Sequence, residues 1–270
     1  MHNILNKGKD SAFIVEMTDA DYRKSVGLAQ SSLKEFMHSP AHYLASIEQV
    51  SEPTKAMNFG SAFHASVLLD DPFSVFAIKK KVDGRSKEGK AYNDNFALEN
   101  ANKIIIDDDD YNAIQGMKNS IMLHKEASEK IKHLSNKEVS VFGTYIAQEG
   151  DIRLKGLIDG YSESGEYALD LKSCEDASPA GFRKAIWDYR YDIQNCHYWW
   201  LLTNAKKKIK DFYFIAVEKK PPYAVGVYRI SPDSLIKSFV SWELYIEKFA
   251  ECQKTGNYPA YSPEIVNIVL

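Results

Sequence analysis

The sequence predicts an α/β fold in which a mainly helical N-terminal part precedes a sheet-containing core. Apolar residues recur at helical spacing through residues 26–135, whereas alternating strand patterns begin near residue 138. Strand and helix patterns then follow one another to the end of the core at residue 255, which is typical of a sheet flanked by helices. No internal repeat or long linker interrupts the chain. We therefore expect one domain over residues 1–270, with a lead-in at 1–25 and an α/β core at 136–255.

The N-terminal part is predicted to begin its helices after a lead-in that shows no clear period. Ser32 followed by Glu35 forms a capping-box pattern, which predicts a helix start. Pro40 interrupts this helix, and the helical pattern resumes directly after it. A further helix is predicted over residues 58–69, where aromatic and aliphatic residues share one stripe.

Two charged runs lie between this helix and the core. Residues 79–90 carry six basic and two acidic residues around two glycines, which predicts an exposed basic loop. The four aspartates at 107–110 are expected to cap a helix over residues 111–134, because carboxylates are favoured at a helix N-terminus. A metal site in this acidic run is a weaker alternative, since consecutive side chains point in different directions.

The core is predicted to contain five strands and two long helical segments. Turn residues at 162–165 separate the second and third strands, and Pro221-Pro222 lies between the fourth and fifth. Ser178-Pro179 and Ser231-Pro232 are good starts for the two helical segments, the first of which has a break near Tyr191. The predicted strands cover residues 139–145, 152–158, 167–171, 212–217 and 224–230.

Composition excludes several classes of protein. With 44% hydrophobic and 26% charged residues the chain has the profile of a folded protein, not of a disordered or collagen-like one. The net charge of -3 argues against a uniformly basic nucleic-acid coat, although an enzyme with one basic groove remains compatible with it.

The cysteines and the apolar runs predict a cytoplasmic protein. Cys174, Cys196 and Cys252 are widely spaced, which suits free thiols in a reducing compartment and excludes an iron-sulfur cluster with four cysteine ligands. Residues 1–11 lack the apolar core of a signal peptide, and no apolar run approaches the roughly 20 residues of a membrane span. No membrane partner is expected.

A constellation of charged residues lies in the second and third core strands. Asp159 ends one apolar strand, and Asp170 and Lys172 lie in the next, separated by one residue. Residues two apart in a strand share a face, so Asp170 and Lys172 should project together. The short connection between the strands allows a tight turn that brings Asp159 to the same place.

Two carboxylates and a lysine at one point suit a specific chemistry. Carboxylate oxygens bind Mg²⁺, with Mn²⁺ as a substitute, and the metal can share its coordination shell with a phosphate. The lysine can orient a water and offset charge in the transition state. A surface ion pair of little energetic consequence is the alternative. The apolar neighbours of Asp170 in the strand weaken that alternative, because unpartnered charges are costly there.

These residues resemble the core motif of the PD-(D/E)xK nucleases, and the wider sequence is similar to the exonuclease VIII branch of phage-type recombination exonucleases. Two departures are that Ile158 precedes Asp159 and that Asp170 is the second acid. The resemblance runs from about Gly27 and implies a restriction-endonuclease-like core, a central mixed sheet flanked by helices, as in RecB-like and lambda-exonuclease-like enzymes. It is carried by the segments SPAHYLA, MNFGSAFHASVL, KVDGRSKEGKA, EVSVF, RLKGLIDGY, LDLKSCEDASPAGF and YDIQNCHYW.

The resemblance assigns roles that the residues alone leave open. By themselves, His64 fits a satisfied core histidine, and Gln194 and Tyr198 fit the packing of an amphipathic helix. The resemblance instead implies catalytic roles for these last two residues, near the lysine or a DNA phosphate. The implied metal ligands are His64, Asp159, Asp170 and the backbone carbonyl of Leu171; Lys172 is the implied catalytic lysine and Glu138 a further acid that contacts metal or its waters.

Basic residues are the candidate DNA contacts. Arg153 and Lys155 alternate with apolar residues in the strand that ends at Asp159, and we expect them to contact phosphate or to balance the carboxylates. Arg85 and Lys87 lie in the basic stretch 79–90, which has a net charge of +4, as does residues 206–220. At least one of these stretches is expected to face the DNA.

The resemblance implies a Mg²⁺-dependent exonuclease that degrades one strand of duplex DNA from its 5′ end. It also implies a homo-oligomeric ring around DNA and a single-strand annealing protein as a partner in recombination. A repair or structure-specific endonuclease, and a non-catalytic DNA-binding protein of the same fold, are the alternatives. The intact Asp159, Asp170 and Lys172 argue against a decayed site.

Overall fold

The computed structural model of the protein describes residues 11–49, 52–261 and 264. Its strands are β1 (Ser11–Val15), β2 (Phe76–Lys79), β3 (Ile104–Asp107), β4 (Asn136–Ala147), β5 (Gly150–Ser162), β6 (Tyr167–Cys174), β7 (Asp211–Glu218) and β8 (Val225–Tyr228). Its helices are α1 (Asp19–Lys24), α2 (Gln30–His38), α3 (Pro40–Glu48), α4 (Lys55–Leu68), α5 (Lys87–Glu99), α6 (Asp108–Leu123), α7 (Lys125–Lys132), α8 (Pro179–Tyr189), α9 (Tyr191–Asn204) and α10 (Pro232–Thr255).

A mixed six-stranded sheet in the order β1-β4-β5-β6-β7-β8 forms the centre of the fold. All neighbouring strands are antiparallel except β6 and β7, which are parallel and are connected through α8 and α9. A parallel pair requires such a crossover, whereas β4, β5 and β6 follow one another through short turns. This architecture is the α/β fold with a helix-flanked mixed sheet that the sequence predicts.

Helices cover the sheet on both faces and create two apolar clusters. One cluster joins α9 and α10 to β4 and β5, and Trp200 and Trp242 are its large buried members. The other joins α4, α6 and α7 to β6 and β7, through residues such as Phe63 and Leu169. Burial on two faces explains why β6 and β7 read as continuous apolar runs.

The lead-in contributes structure that its sequence pattern did not predict. Residues 1–10 lie outside the described part of the chain, but β1 pairs with β4 as the edge of the sheet. Helix α1 follows, capped by Thr18, whose Oγ1 accepts a hydrogen bond from the Asp21 amide at 3.1 Å. Residues 11–15 and 19–24 of the lead-in therefore form regular structure although the sequence there shows no clear period.

The predicted capping box at Ser32 and Glu35 does not form. Helix α2 begins earlier, after Ala29, whose side chain makes no capping hydrogen bond. The start is fixed by tertiary pairing, because the Leu28 amide donates to the carbonyl of Arg153 at 2.8 Å and so holds Leu28 extended beside β5. The next helix begins at Pro40 as expected, with Ser39 as its cap.

The predicted basic loop and the helix after it also need correction. Strand β2 ends at Lys79, and helix α5 begins at Lys87 with Ser86 as its cap. The last residues of the predicted loop are therefore helical. Strands β2 and β3 pair in parallel as a separate small sheet within the region expected to be mainly helical. Asp107 caps α6 as predicted, but the helix ends before His124, whose ring accepts the Ala127 amide and starts α7.

The remaining core elements agree with the predicted pattern within a few residues. Ser178 and Ser231 cap α8 and α10, and each is followed by a proline in the first turn. The predicted break near Tyr191 lies at Arg190, which separates α8 from α9 and adopts a left-handed backbone conformation.

Candidate functional site

The β5–β6 hairpin positions the two aspartates that the sequence singled out. The strands pair only from Gly160↔Leu169 to Ser162↔Tyr167 and then diverge. Asp159 and Asp170 are the next positions on either side of the opening gap. The Leu171 amide donates to Oδ2 of Asp159 across that gap at 2.6 Å. Because the N–H and C=O of a strand residue point to the same side, the Leu171 carbonyl faces the gap as well.

Glu138 on β4 lies at the position opposite Asp159. The flanking pairs Lys137↔Gly160 and Val139↔Ile158 are regular, but Glu138 itself has a φ of 51° and makes no regular pair. A non-glycine residue in this conformation is strained, and such strain is typical of functional sites. Its atom Oε1 is buried and has no hydrogen-bond partner among the described residues.

Helix α4 brings His64 to the two carboxylates. Its Nδ1 lies 3.1 Å from Oδ1 of Asp159, and the side chain keeps 27% exposure. Donor atoms of His64, Glu138 and Asp159 all lie within 4.8 Å of one another. His64 is therefore part of this polar group and not a core histidine packed only against apolar neighbours.

Asp170 belongs to a second, adjoining pair. Its Oδ2 forms an ion pair with Lys172, the residue two positions further on the same strand. Its Oδ1 accepts a hydrogen bond from the side-chain amide of Gln194 on α9 at 2.8 Å. The sequence prediction that Asp170 and Lys172 project together is thus met, whereas Gln194 contacts Asp170 and not the lysine.

Tyr198 lies one turn beyond Gln194 and is buried beneath the site. A Cβ at Gly156 on β5 would lie 3.0 Å from the Tyr198 ring and 2.8 Å from Leu201. A side chain at this position would force Leu201 and the Tyr198 ring to move. Gly156 therefore allows the close approach of α9, which carries Gln194 and Tyr198, to the sheet.

The electrostatics show that negative charge is crowded here. Burial and the nearby Asp159 raise the pKa of Glu138 to about 7. Burial likewise raises the pKa of Asp170 to about 6, although Lys172 opposes the change. Burial would also raise the pKa of Asp159, but His64, Lys172 and the Leu171 amide together hold it below its usual value. Burial opposes charge on His64, yet Asp159 raises the pKa of His64 to about 9.

A cavity of about 460 Å³ joins these groups. Asp159, Asp170 and Lys172 line it together with three residues of α1 that the sequence prediction missed, namely Asp19, Tyr22 and Arg23. A signal for α1 was present, because Thr18 followed by Asp21 is itself a capping pattern before the helix.

Lys155 does not contact the cavity and is not available to a phosphate. Its side chain is buried, and its ammonium donates to the carbonyls of Tyr22 at 3.0 Å and Ser25 at 2.7 Å. The ammonium also lies 4.8 Å from the Tyr22 ring centroid. Since α1 packs over this part of β5, Lys155 fixes the C-terminal end of α1, where a cation is favoured. The predicted phosphate contact of Lys155 is corrected accordingly.

The other predicted DNA contacts lie away from this cavity. Arg153 is exposed toward the edge of the sheet near Phe13, and Arg85 and Lys87 are exposed before and at the start of α5. None of the three lines the cavity that contains Asp159. A second cavity, of about 630 Å³, is lined by Lys55, Lys79, Lys80 and Lys81, and the first turns of α4 separate it from the first.

The chemistry of the donor set fits a divalent cation. His64, Glu138 and Asp159 offer one nitrogen and several oxygens at close range. The unpartnered Oε1 of Glu138 and the raised pKa values indicate an excess of negative charge that a cation would offset. Asp170 and the Leu171 carbonyl border the same gap.

No helix in the described ranges combines the length and apolar character that crossing a membrane requires.

The fold is similar to that of solved structures. A crystal structure from Eubacterium rectale, described as a “Putative exonuclease”, aligns with a TM-score of 0.60 at 15% identity, over 90% of this chain and 88% of its own. The structure of SSO0001 aligns with a TM-score of only 0.31 at 9% identity, over 75% of this chain and 89% of its own, and supports no argument. No curated protein matches the chain.

The first alignment covers 90% of this chain, which shows that the two proteins share a fold. A family described as a PDDEXK-like domain of unknown function, DUF3799, matches residues 29–268. The match includes every polar residue of the cavity except those contributed by α1. By its sequence and by the arrangement of Asp159, Asp170 and Lys172, this chain belongs to the PDDEXK-like DUF3799 family.

Proposed function

We propose that this protein is a Mg²⁺-dependent exodeoxyribonuclease that hydrolyses linear duplex DNA from the 5′ end. The observation that carries the proposal is the convergence of two groups in one cavity. His64, Glu138 and Asp159 form a donor set for a hard cation, and Asp170 with Lys172 adjoins it. A cation site beside a lysine is an arrangement suited to phosphodiester hydrolysis.

His64, Glu138 and Asp159 would hold the cation, with Asp170 and the Leu171 carbonyl as further ligands. A divalent cation bound there would neutralise the scissile phosphate and lower the pKa of a water. Its charge would also favour the ionised form of Glu138, whose pKa burial and the nearby Asp159 raise.

Lys172 has the role of orienting the attacking water and offsetting charge on the phosphate. Its ammonium is held between Asp170 and the ring of Tyr191, whose centroid is 4.5 Å away. Gln194 fixes the orientation of Asp170 through its hydrogen bond, and Tyr198 supports Gln194 from below. These contacts leave Lys172 restrained at the cavity wall, which favours a single productive geometry.

The 5′ polarity, the homo-oligomeric ring and the annealing partner are proposed from the sequence resemblance to recombination exonucleases alone. Light scattering after size-exclusion chromatography tests the ring, with a mass of three or more chains expected. A monomeric mass at micromolar concentration would contradict it. Co-purification with a single-strand annealing protein would support the partner.

The central experiment is digestion of linear duplex DNA labelled at either 5′ or 3′ ends. We expect the wild-type protein with Mg²⁺ to release mononucleotides from the 5′ label first, and EDTA to abolish release. Lys172→Ala should lower the rate at least about 100-fold, as for loss of a catalytic group.

Lys132→Ala is the matched control, because Lys132 is an exposed lysine on α7 whose ammonium lies 3.5 Å from a Glu129 carboxylate oxygen. Label release that is unaffected by both EDTA and Lys172→Ala would refute the proposal. Cleavage of closed circular DNA would instead identify an endonuclease, and DNA binding without any cleavage would identify a non-catalytic protein of this fold.

A further inference from the structure

Two stacked aromatic rings, those of Tyr191 and Tyr189, connect the active-site lysine to the protein surface. The Lys172 ammonium lies 4.5 Å from the ring centroid of Tyr191. The Tyr191 ring stacks on Tyr189, with centroids 5.6 Å apart and planes inclined by 25°. At the outer end, the Lys34 ammonium of α2 lies 5.1 Å from the Tyr189 centroid. Two cations thus flank two stacked rings.

The inner ring is fixed and the outer ring is open. Tyr191 also stacks on Phe182 and Phe214, both of which are buried, so its position is set by the core. Tyr189 has Tyr191 as its ring partner and remains 53% exposed. An exposed aromatic ring on a rigid base can stack with a planar ligand at little cost in side-chain entropy.

A strained residue creates this stack. Side chains two apart in a helix do not face each other, so Tyr189 and Tyr191 could not stack within one helix. Arg190 between them adopts φ 56°, which breaks the helix and brings the rings together. Its guanidinium makes two hydrogen bonds to Asp192, at 3.0 and 3.1 Å, and Ser238 also donates to that buried carboxylate. This network holds a conformation that a non-glycine residue seldom adopts.

The surface has the chemistry of a site for unpaired nucleotides. Proteins bind single strands by stacking bases on aromatic rings while neighbouring cations contact the backbone phosphates. Lys34 has a flexible stem and can move from the ring to a phosphate when a base stacks there. Because Tyr191 contacts both Lys172 and Tyr189, the exposed ring lies close to the cavity in which the scissile phosphate would bind.

We propose that the exposed ring of Tyr189, backed by Tyr191 and flanked by Lys34, stacks an unpaired base of the DNA strand that enters the active site. This inference rests on the proposed nuclease function and adds a subsite to it. A stacking site here would keep the end of the strand separated from its complement. It would therefore favour duplex ends at which at least one base pair is already open.

The test measures binding of a fluorescently labelled single-stranded DNA in EDTA, so that no cleavage occurs. Anisotropy titrations compare wild type, Tyr189→Leu and Trp187→Leu. Trp187 is the matched control, because it lies on α8 with 65% exposure but makes no ring contact among the described residues. We expect Tyr189→Leu to weaken binding about tenfold and Trp187→Leu to change it less than twofold.

A second arm replaces single nucleotides of the strand by abasic sites. One abasic position should weaken binding to wild type about tenfold and leave binding to Tyr189→Leu unchanged, because the ring and the base act as a pair. Equal affinities of wild type and Tyr189→Leu, or the same abasic profile for both, would overturn the inference. Circular dichroism melting checks that the variants are folded.

The outcomes for this site and for the nuclease are separable. A wild-type protein that digests duplex DNA while Tyr189→Leu binds single strands normally would refute the subsite alone. A wild-type protein that binds strands through Tyr189 but cleaves nothing would support the subsite and refute the nuclease.

Discussion

The side-chain amide of Gln194 donates a hydrogen bond to Oδ1 of Asp170 at 2.8 Å, and both groups are buried. This contact joins helix α9 to strand β6 at the cavity. It leaves Oδ2 of Asp170 for Lys172. The orientation of the Asp170 carboxylate is therefore set by a helix residue that lies 24 positions further along the chain.

Replacing Gln194 by leucine should reduce both the cleavage rate and the stability of the protein. The substitution leaves Asp170 Oδ1 without its donor, which costs about 1–3 kcal/mol in the free energy of unfolding. Misorientation of Asp170 should lower the cleavage rate by up to about 100-fold. Initial rates on linear duplex DNA and denaturant titrations measure the two effects.

Asn204→Leu is the control for that experiment, because Asn204 is a buried amide on the same helix that bonds the carbonyl of Trp200. It should lose similar stability and keep its cleavage rate. Equal rate losses in both variants would show that Gln194 acts only through folding.

Replacing Glu138 by glutamine should stabilise the protein without metal and weaken metal binding. Burial and the neighbouring Asp159 raise the pKa of this carboxyl, so its ionised form is unfavourable in the empty site. With Mn²⁺ at 100 times its Kd, wild type should gain about 3 kcal/mol of stability, and the variant much less.

Thermal denaturation with and without Mn²⁺ checks the Glu138 prediction. Glu129→Gln on the exposed surface of α7 is the control and should respond to Mn²⁺ like wild type. An undiminished Mn²⁺ stabilisation in Glu138→Gln would remove Glu138 from the donor set.

Lys155 should be required for the position of α1. In Lys155→Met the aliphatic stem remains, but the carbonyls of Tyr22 and Ser25 lose their buried donor. We expect a loss of about 1–3 kcal/mol in stability. Amide hydrogen exchange should accelerate in residues 19–25 more than in β4 and β5.

Lys132→Met, on an exposed face, should change neither measurement. Uniform acceleration of exchange across the sheet in Lys155→Met would contradict a local role for Lys155.

His197 should make stability depend on pH. Trp242 donates to its Nδ1 at 3.2 Å, and its Nε2 lies 3.0 Å from the Lys155 carbonyl, so both ring nitrogens are satisfied in the neutral form. Burial lowers the pKa of His197 to about 4 from the ordinary 6.5. His197 therefore binds a proton more tightly in the unfolded chain than in the folded protein.

The stability contributed by neutral His197 is present above pH 6.5 and is lost as the pH falls toward 4, by about 3 kcal/mol in total. Denaturant titrations at pH 7 and pH 4.5 should show a smaller acid loss in His197→Gln than in wild type. His133→Gln, at an exposed position just after the last residue of α7, is the control and should lose as much stability in acid as wild type. The same acid loss in all three proteins would refute the assignment.

The sequence predicted the parts of the fold that depend on local pattern. Alternation and turn residues predicted the β5–β6 hairpin, and serine-proline pairs predicted the starts of α8 and α10. The pairing of Asp170 with Lys172 followed from strand geometry, because two residues apart in one strand share a face. Segment β1 was missed because it is short and half-exposed, and β2 and β3 because four residues carry little periodicity.

The sequence by itself therefore determined the sheet-based core and the motif residues Asp159, Asp170 and Lys172. The resemblance implied that His64 meets them, but only the tertiary structure shows how the distant groups come together. Packing of α4 brings His64 to Asp159, packing of α1 adds Asp19 to the cavity, and packing over β5 buries Lys155. Local pattern fixes the direction of a side chain within its own element, whereas its partner depends on how separate elements dock.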